Sequence, residues 1–257
     1  MGGQRYVKIA VEFIFDIFRT FKFKEHLPSL SIIAAVAVIN AAVFLAVLAV
    51  DVWEITGITP VQGFWWHAFR NRGPVEWMQW FFISLTVLSS AALFGIFKER
   101  GDRKAQLFWG LVSLTFILML IEDAGDPRHV LAHYGFSLFS IKKSHIEGLF
   151  YIMVTGPIIY GYLRFWKVPF SYPQVRPYLL VGPFLYALAG ATSVFRNQGD
   201  FYVNLGDKLS AAYFSNKIPG FFLMDFVFEE MLELTAASIF FAGVMMYWKI
   251  VVKKNKS

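Results

Sequence analysis

Long apolar runs constrain this chain more than any other feature. LSIIAAVAVINAAVFLAVLAV fills positions 30–50, and LFWGLVSLTFILMLI fills positions 107–121. A helix needs about 20 apolar residues to cross roughly 30 Å of hydrocarbon. Inside lipid every backbone N–H and C=O must be bonded within the protein, which leaves helices or closed barrels as spanning structures. Runs of this length match helices, because a barrel strand spans in about half as many residues. The expected fold is all-α: a polytopic membrane helix bundle of six transmembrane helices with both termini cytoplasmic, plus an N-terminal amphipathic interfacial helix.

Composition agrees. Hydrophobic residues make up 57% of the 257 positions and charged residues only 16%, whereas a soluble domain of this size is nearer a quarter charged. The chain has no cysteine, which excludes disulfides, thiolate metal sites and cysteine nucleophiles. No Gly-rich phosphate loop and no G-x-S-x-G elbow is present. No cleavable signal peptide is expected, since the first long apolar run exceeds a signal core in length. The net charge of +6 is distributed as membrane orientation requires and forms no basic, aromatic-interleaved stripe for nucleic acid.

The expected spans are about 30–53, 75–97, 105–121, 148–166, 177–195 and 221–248. They divide the chain into a cytoplasmic amphipathic helix (1–28), a transmembrane domain (29–249) and a basic cytoplasmic tail (250–257). With the N-terminus, 98–104, 164–176 and the C-terminus on one side, that side holds 16 Lys/Arg and 5 Asp/Glu. The other side holds 8 Lys/Arg and 13 Asp/Glu. Lys and Arg collect on the cytoplasmic side, so loops 54–74, 122–147 and 196–220 are expected outside the cytoplasm, in a multi-pass protein of the cell membrane. In the first segment, Lys8, Glu12, Asp16 and Arg19 form one polar stripe on an otherwise apolar helix, as in helices lying on a bilayer. The outer loop GFWWHAFRNRG (63–73) reads as a segment resting on the membrane.

Helix rise places the acidic residues in depth. The third span is about 17 residues, or roughly 25 Å, so Glu122 and Asp123 fall at the outer hydrocarbon edge. Asp51 ends the first span, Glu76 opens the second and Glu147 the fourth. Some 20 residues back from Lys249, Glu230 reaches the same level, with Glu229 beside it and Glu233 a turn deeper. Asp225, Glu229 and Glu233 repeat at i, i+4 and i+8, one helical face. Carboxylates at such depths are costly and face a bundle interior or a water-filled cavity. Crowded together they need protons, cations or Arg partners; Arg128, Lys143 and Arg196 are the candidates. Asn40, and Ser89 with Ser90, read as helix–helix hydrogen bonds.

The loop EDAGDPRHVLAH (122–133) follows the third span. Asp126 reads as an N-cap and Pro127 as the first helical position, with a short helix to Tyr134 stopped by Gly135. His129 and His133 then share a face, a spacing that binds Zn or other first-row metals. The expected metal ligands are Glu122, Asp126, His129, His133, Glu230 and Glu233. Without thiolates this set suits a divalent transition metal, Zn, Fe, Mn or Cu. Asp126-x-x-His129 and Glu230-x-x-Glu233 depart from the paired Glu-x-x-His of di-iron bundles.

PVEWMQWFFISLTVLSSAALF (74–94) and FEEMLELTAASIFFAG (228–243) resemble segments of uncharacterised multi-pass prokaryotic membrane proteins. Those proteins pair an acidic residue opening one span with an E-E-x-x-E-L motif opening the last. The resemblance implies that an intramembrane acidic motif is a family trait. It implies no activity or cofactor.

Two readings follow. One is a metal-dependent membrane enzyme acting on an apolar or lipid-like substrate that arrives sideways from the bilayer. Glu229 or Asp126 would be its general base, or a metal-bound water its nucleophile. The other is non-catalytic: a subunit of a larger membrane complex with partner subunits, or a cation- or proton-handling protein.

Overall fold

The computed structural model describes residues 23–57, 63–70, 72–139, 143–195 and 201–254. The first 22 residues, where the amphipathic helix is expected, lie outside them, as do Arg196 and the last three positions of the basic tail. Helix α1 is Phe23–Val47, continued by a wider π-helical turn Leu48–Val52. A short α2 (Phe64–Phe69) leads to α3 (Pro74–Glu99), α4 (Arg103–Gly125) and α5 (Pro127–Phe139). Then come α6 (Lys143–Phe165), α7 (Arg176–Phe195) and α8 (Phe201–Tyr213). The last helix begins with Gly220–Phe222, widens into a π-helical turn Leu223–Phe228 and continues as α9 (Glu229–Lys253). No strand occurs among the described residues.

Among the described residues, four helical stretches are long and apolar enough to cross a membrane: His26–Val52, Phe64–Glu99, Arg103–Gly125 and Gly220–Lys253. Helices α6 and α7 occupy the expected fourth and fifth spans but are not among the four. Polar groups at their starts and eight glycines and prolines within them, Gly148, Gly156, Pro157, Gly161 and Pro183 among these, dilute their apolar character. Both helices continue through Pro157 and Pro183.

The last helix is the hub. It packs against α1, α3 and α7, while α3 packs on α4 and α4 on α6. Ala236, Ala237, Phe240, Ala242 and Val244 of α9 are fully buried. One core surrounds Phe108, Trp109, Phe116, Phe240 and Tyr247, whose rings meet edge-on or tilted, as in Trp109–Tyr247 at 4.7 Å. Edge contacts of this kind suit the ring quadrupole. A second core lies at the opposite end, around Trp65, Phe69, Leu223 and Val227.

That second core changes the reading of loop 63–73. Trp65 and Phe69 are buried, and Trp65 stacks on Phe222 at 5.6 Å. The segment packs onto the start of the last helix. Asp51 holds it there, its two carboxylate oxygens accepting from the N–H groups of Phe64 and Trp65, each at 2.7 Å. Nearby, Lys217 pairs with Glu54 and holds that exposed carboxyl below the usual range.

Asn40 bonds between helices as expected: its amide donates to Thr235 Oγ1 at 3.1 Å and to the Met231 carbonyl at 3.4 Å. Interhelical bonds of this type average about 0.6 kcal/mol and reach about 1.7 kcal/mol in membranes. Asn40→Leu is therefore expected to lower stability only within that range, measured by unfolding in mixed micelles. A loss several times larger would show that Asn40 does more than tie α1 to α9. Ser90 behaves differently from expectation, bonding back to the Thr86 carbonyl of its own helix at 2.6 Å.

Candidate functional site

A cavity of about 1010 Å³ lies among α3, α4, α6, α7 and the last helix. Its shape follows from the packing order. Helices α6 and α7 are neighbours in sequence yet touch one another sparsely, because α6 leans on α4 and α7 on α9. The gap between them is the cavity. Ile159, Leu163 and Phe184 line it and are 54%, 76% and 65% exposed, so its side faces whatever surrounds the bundle. At one end the two helices meet, where the Tyr162 hydroxyl donates to the Leu179 carbonyl at 2.6 Å.

The opposite end is acidic. Glu76 comes from the first turn of α3, and Glu122 and Asp123 from the last turn of α4. Asp225 sits in the π-helical turn before α9, and Glu229, Glu230 and Glu233 in its first turns. With Asp126 that makes eight carboxylates on the wall, against one described lining cation, Arg128. Arg128 pairs with Glu122 at 3.0 Å and lies 4.7 Å from the Tyr151 ring centre. Like charges confined to a low-dielectric wall repel strongly, so this end favours positive charge or protons.

The side-chain amide of Gln79 connects the layer. Its Nε2 donates to Glu233 Oε2 at 2.8 Å and to Asp123 Oδ2 at 3.1 Å, tying α4 and α9 to α3. Its Oε1 is buried without a partner. The hydroxyls of Thr115 and Tyr186, deeper on the same wall, also lack partners. Beyond them the lining is apolar, with Phe116, Ile158, Leu180, Pro183 and Phe240. From Tyr151 to Tyr162 the wall of α6 extends 11 residues, or roughly 16 Å at 1.5 Å per residue.

Of the six expected ligands, Glu122, Asp126, Glu230 and Glu233 line this cavity. His133 is exposed, its ring beside Tyr134 at 6.0 Å. The backbone of His129 lies in α5, and its side chain is outside the described residues. Among the described residues, no three His, Asp or Glu side chains are grouped to hold a metal ion. The α5 helix also runs past its expected stop to Phe139, and Gly135 within it lets the side chain of Ile146 approach closely. Asp126 takes a left-handed conformation, φ 50°, and joins α4 to α5.

Sequence reasoning passed over Gln79, Thr115 and Tyr186. Gln79 carried a signal: it stands one turn after Glu76 in an otherwise apolar run, so the two share a face. The chain matches no family model, no curated protein and no solved structure.

Proposed function

We propose that this chain is an integral membrane protein that admits an apolar, lipid-like molecule sideways between α6 and α7. The polar end of that molecule rests on the carboxylate layer. In this reading α6 and α7 complete six spans, the termini are cytoplasmic by the distribution of Lys and Arg, and the acidic end lies at the level of the outer leaflet. One observation carries it: a single cavity of about 1010 Å³ joins an acidic end to an apolar wall with exposed Leu163 and Phe184 at its side. Cavities of this size suit small amphiphilic ligands.

The metal-dependent enzyme is the second reading, favoured by the crowding of Glu122, Asp123, Glu230 and Glu233 on one wall. It needs His129, or ligands brought closer, to complete a coordination sphere.

Gly190 offers a clean test. It lines the cavity, and a Cβ built on it meets nothing within 4 Å. Gly190→Trp therefore fills the space without disturbing the packing. Protein purified in mild detergent is expected to retain an apolar molecule, recovered by solvent extraction and identified by mass spectrometry, and Gly190→Trp to lose most of it. Equal retention by both proteins would refute the reading. Elemental analysis of the same samples reads out the metal alternative.

A further inference from the structure

We propose that the acidic end of the cavity is a seat for a protonated amine, so that the molecule taken up is a long-chain amine or an amine-headed lipid. The inference rests on the lipid-like reading above and adds the chemistry of the head.

Gln79 carries it. The side chain is 1% exposed and lines the cavity. Its two amide hydrogens are committed to Asp123 and Glu233. Carboxylates accept, so the amide nitrogen must face them, and this fixes which way the group points. The carbonyl oxygen that remains has no partner in the protein. Glu230 Oε2 is likewise buried without one. Buried acceptors without donors are rare and costly in native proteins. Both are acceptors, and both belong to a wall with eight carboxylates and one guanidinium.

The complement of such a wall is a cation that donates. A primary ammonium brings one positive charge and three N–H groups. A quaternary ammonium brings the charge and no donor. A hydroxyl head brings a donor and no charge. Phosphate and carboxylate heads bring more acceptors and are repelled. The apolar wall beyond Thr115 then takes the chain.

The experiment uses the full chain in nanodiscs of phosphatidylcholine, with empty nanodiscs as background. Radiolabelled n-dodecylamine, dodecyltrimethylammonium, dodecanol and dodecanoate are compared by equilibrium binding. Dodecylamine is expected to bind saturably and about tenfold or more tighter than the trimethylammonium analogue, the difference expected for hydrogen bonds to a charged donor. Gln79→Leu and Glu230→Gln are each expected to weaken it by about the same factor. The second variant preserves size, so a folding failure of the first leaves a readout. Dodecanol or dodecanoate binding as tightly as the amine would overturn the amine head while leaving the apolar cavity standing. So would unchanged affinity in Glu230→Gln, or competitive displacement of the amine by micromolar Zn²⁺ or Mn²⁺. If none of the four binds above background, the lipid-like reading falls with it.

Discussion

Gly182→Leu is expected to unseat α7 from the last helix and to cost the protein far more stability than a leucine at an uncrowded position of the same helix. A Cβ at Gly182 would lie 2.9 Å from Phe240 Cβ, 3.0 Å from its nitrogen and 3.1 Å from its Cα. Two of those three atoms are backbone, which cannot step aside. Gly243 repeats the situation from the other helix, where a Cβ would come 2.7 Å from Tyr178 Cβ. Helices in lipid gain little from burying apolar surface and depend on small residues that let backbones approach. Two effects compete. Removing glycine from a helix gains about 1 kcal/mol of propensity. Overpacking costs about 1–3 kcal/mol for a modest insertion and more for a large one. Alanine already brings the clashing Cβ, so Gly182→Ala is expected to be destabilising despite the propensity gain; for leucine overpacking wins by more, with a net loss of about 3 kcal/mol. Thermal unfolding in detergent, followed by loss of the monodisperse peak, measures this. Gly190→Leu is the control, since open space surrounds that position. Equal stability of the two leucine variants would show that α7 does not sit this close to α9.

Asp51→Ala is the second large effect. The carboxylate is 2% exposed, and both oxygens accept backbone N–H bonds at 2.7 Å from the first turn of α2. Hydrogen bonds to a charged group contribute about 1.5–3 kcal/mol each, and a buried donor left without a partner adds a penalty. The expected loss is about 3 kcal/mol, allowing for water reaching the vacated site. Asp51→Asn keeps one good acceptor and should recover part of it. Backbone amide exchange at Phe64 and Trp65 is expected to rise sharply in the alanine variant. Unchanged exchange there would mean that Trp65 and Phe69 hold the segment without the cap.

Asp51 also illustrates what residue spacing reveals and what it conceals. Counting helix rise put Asp51, Glu76, Glu122 and Glu230 at one level, and the three glutamates do share a cavity wall. Depth is legible because rise per residue is nearly constant. Partners are not: Asp51 is taken up by a backbone 13 residues away, a contact that depends on how the intervening loop folds. Asn40 was readable for the opposite reason, since an amide in the middle of a long apolar helix has few partners besides another helix. The side cavity was not readable at all. It comes from the order in which α6 leans on α4 and α7 on α9, and pairing order leaves no periodic mark along either helix. The exposure of His133 was not readable either, because a shared helical face says nothing about which way that face turns.

Helices α6 and α7 are joined at one end, by the Tyr162–Leu179 hydrogen bond and the short connection 166–175, and held apart at the other. Mechanically this is a pair of tongs. The pivot lies beside the apolar wall, and the open jaws lie at the acidic end, where Gln79 ties α3 to α4 and α9 by hydrogen bonds. The two ends of a bound molecule would therefore meet different stiffness. Its head meets a lattice braced by Gln79, while its chain lies between two arms that make few contacts with each other. Selection by such a protein would be strictest at the polar group, where Gln79 fixes the direction of the acceptors.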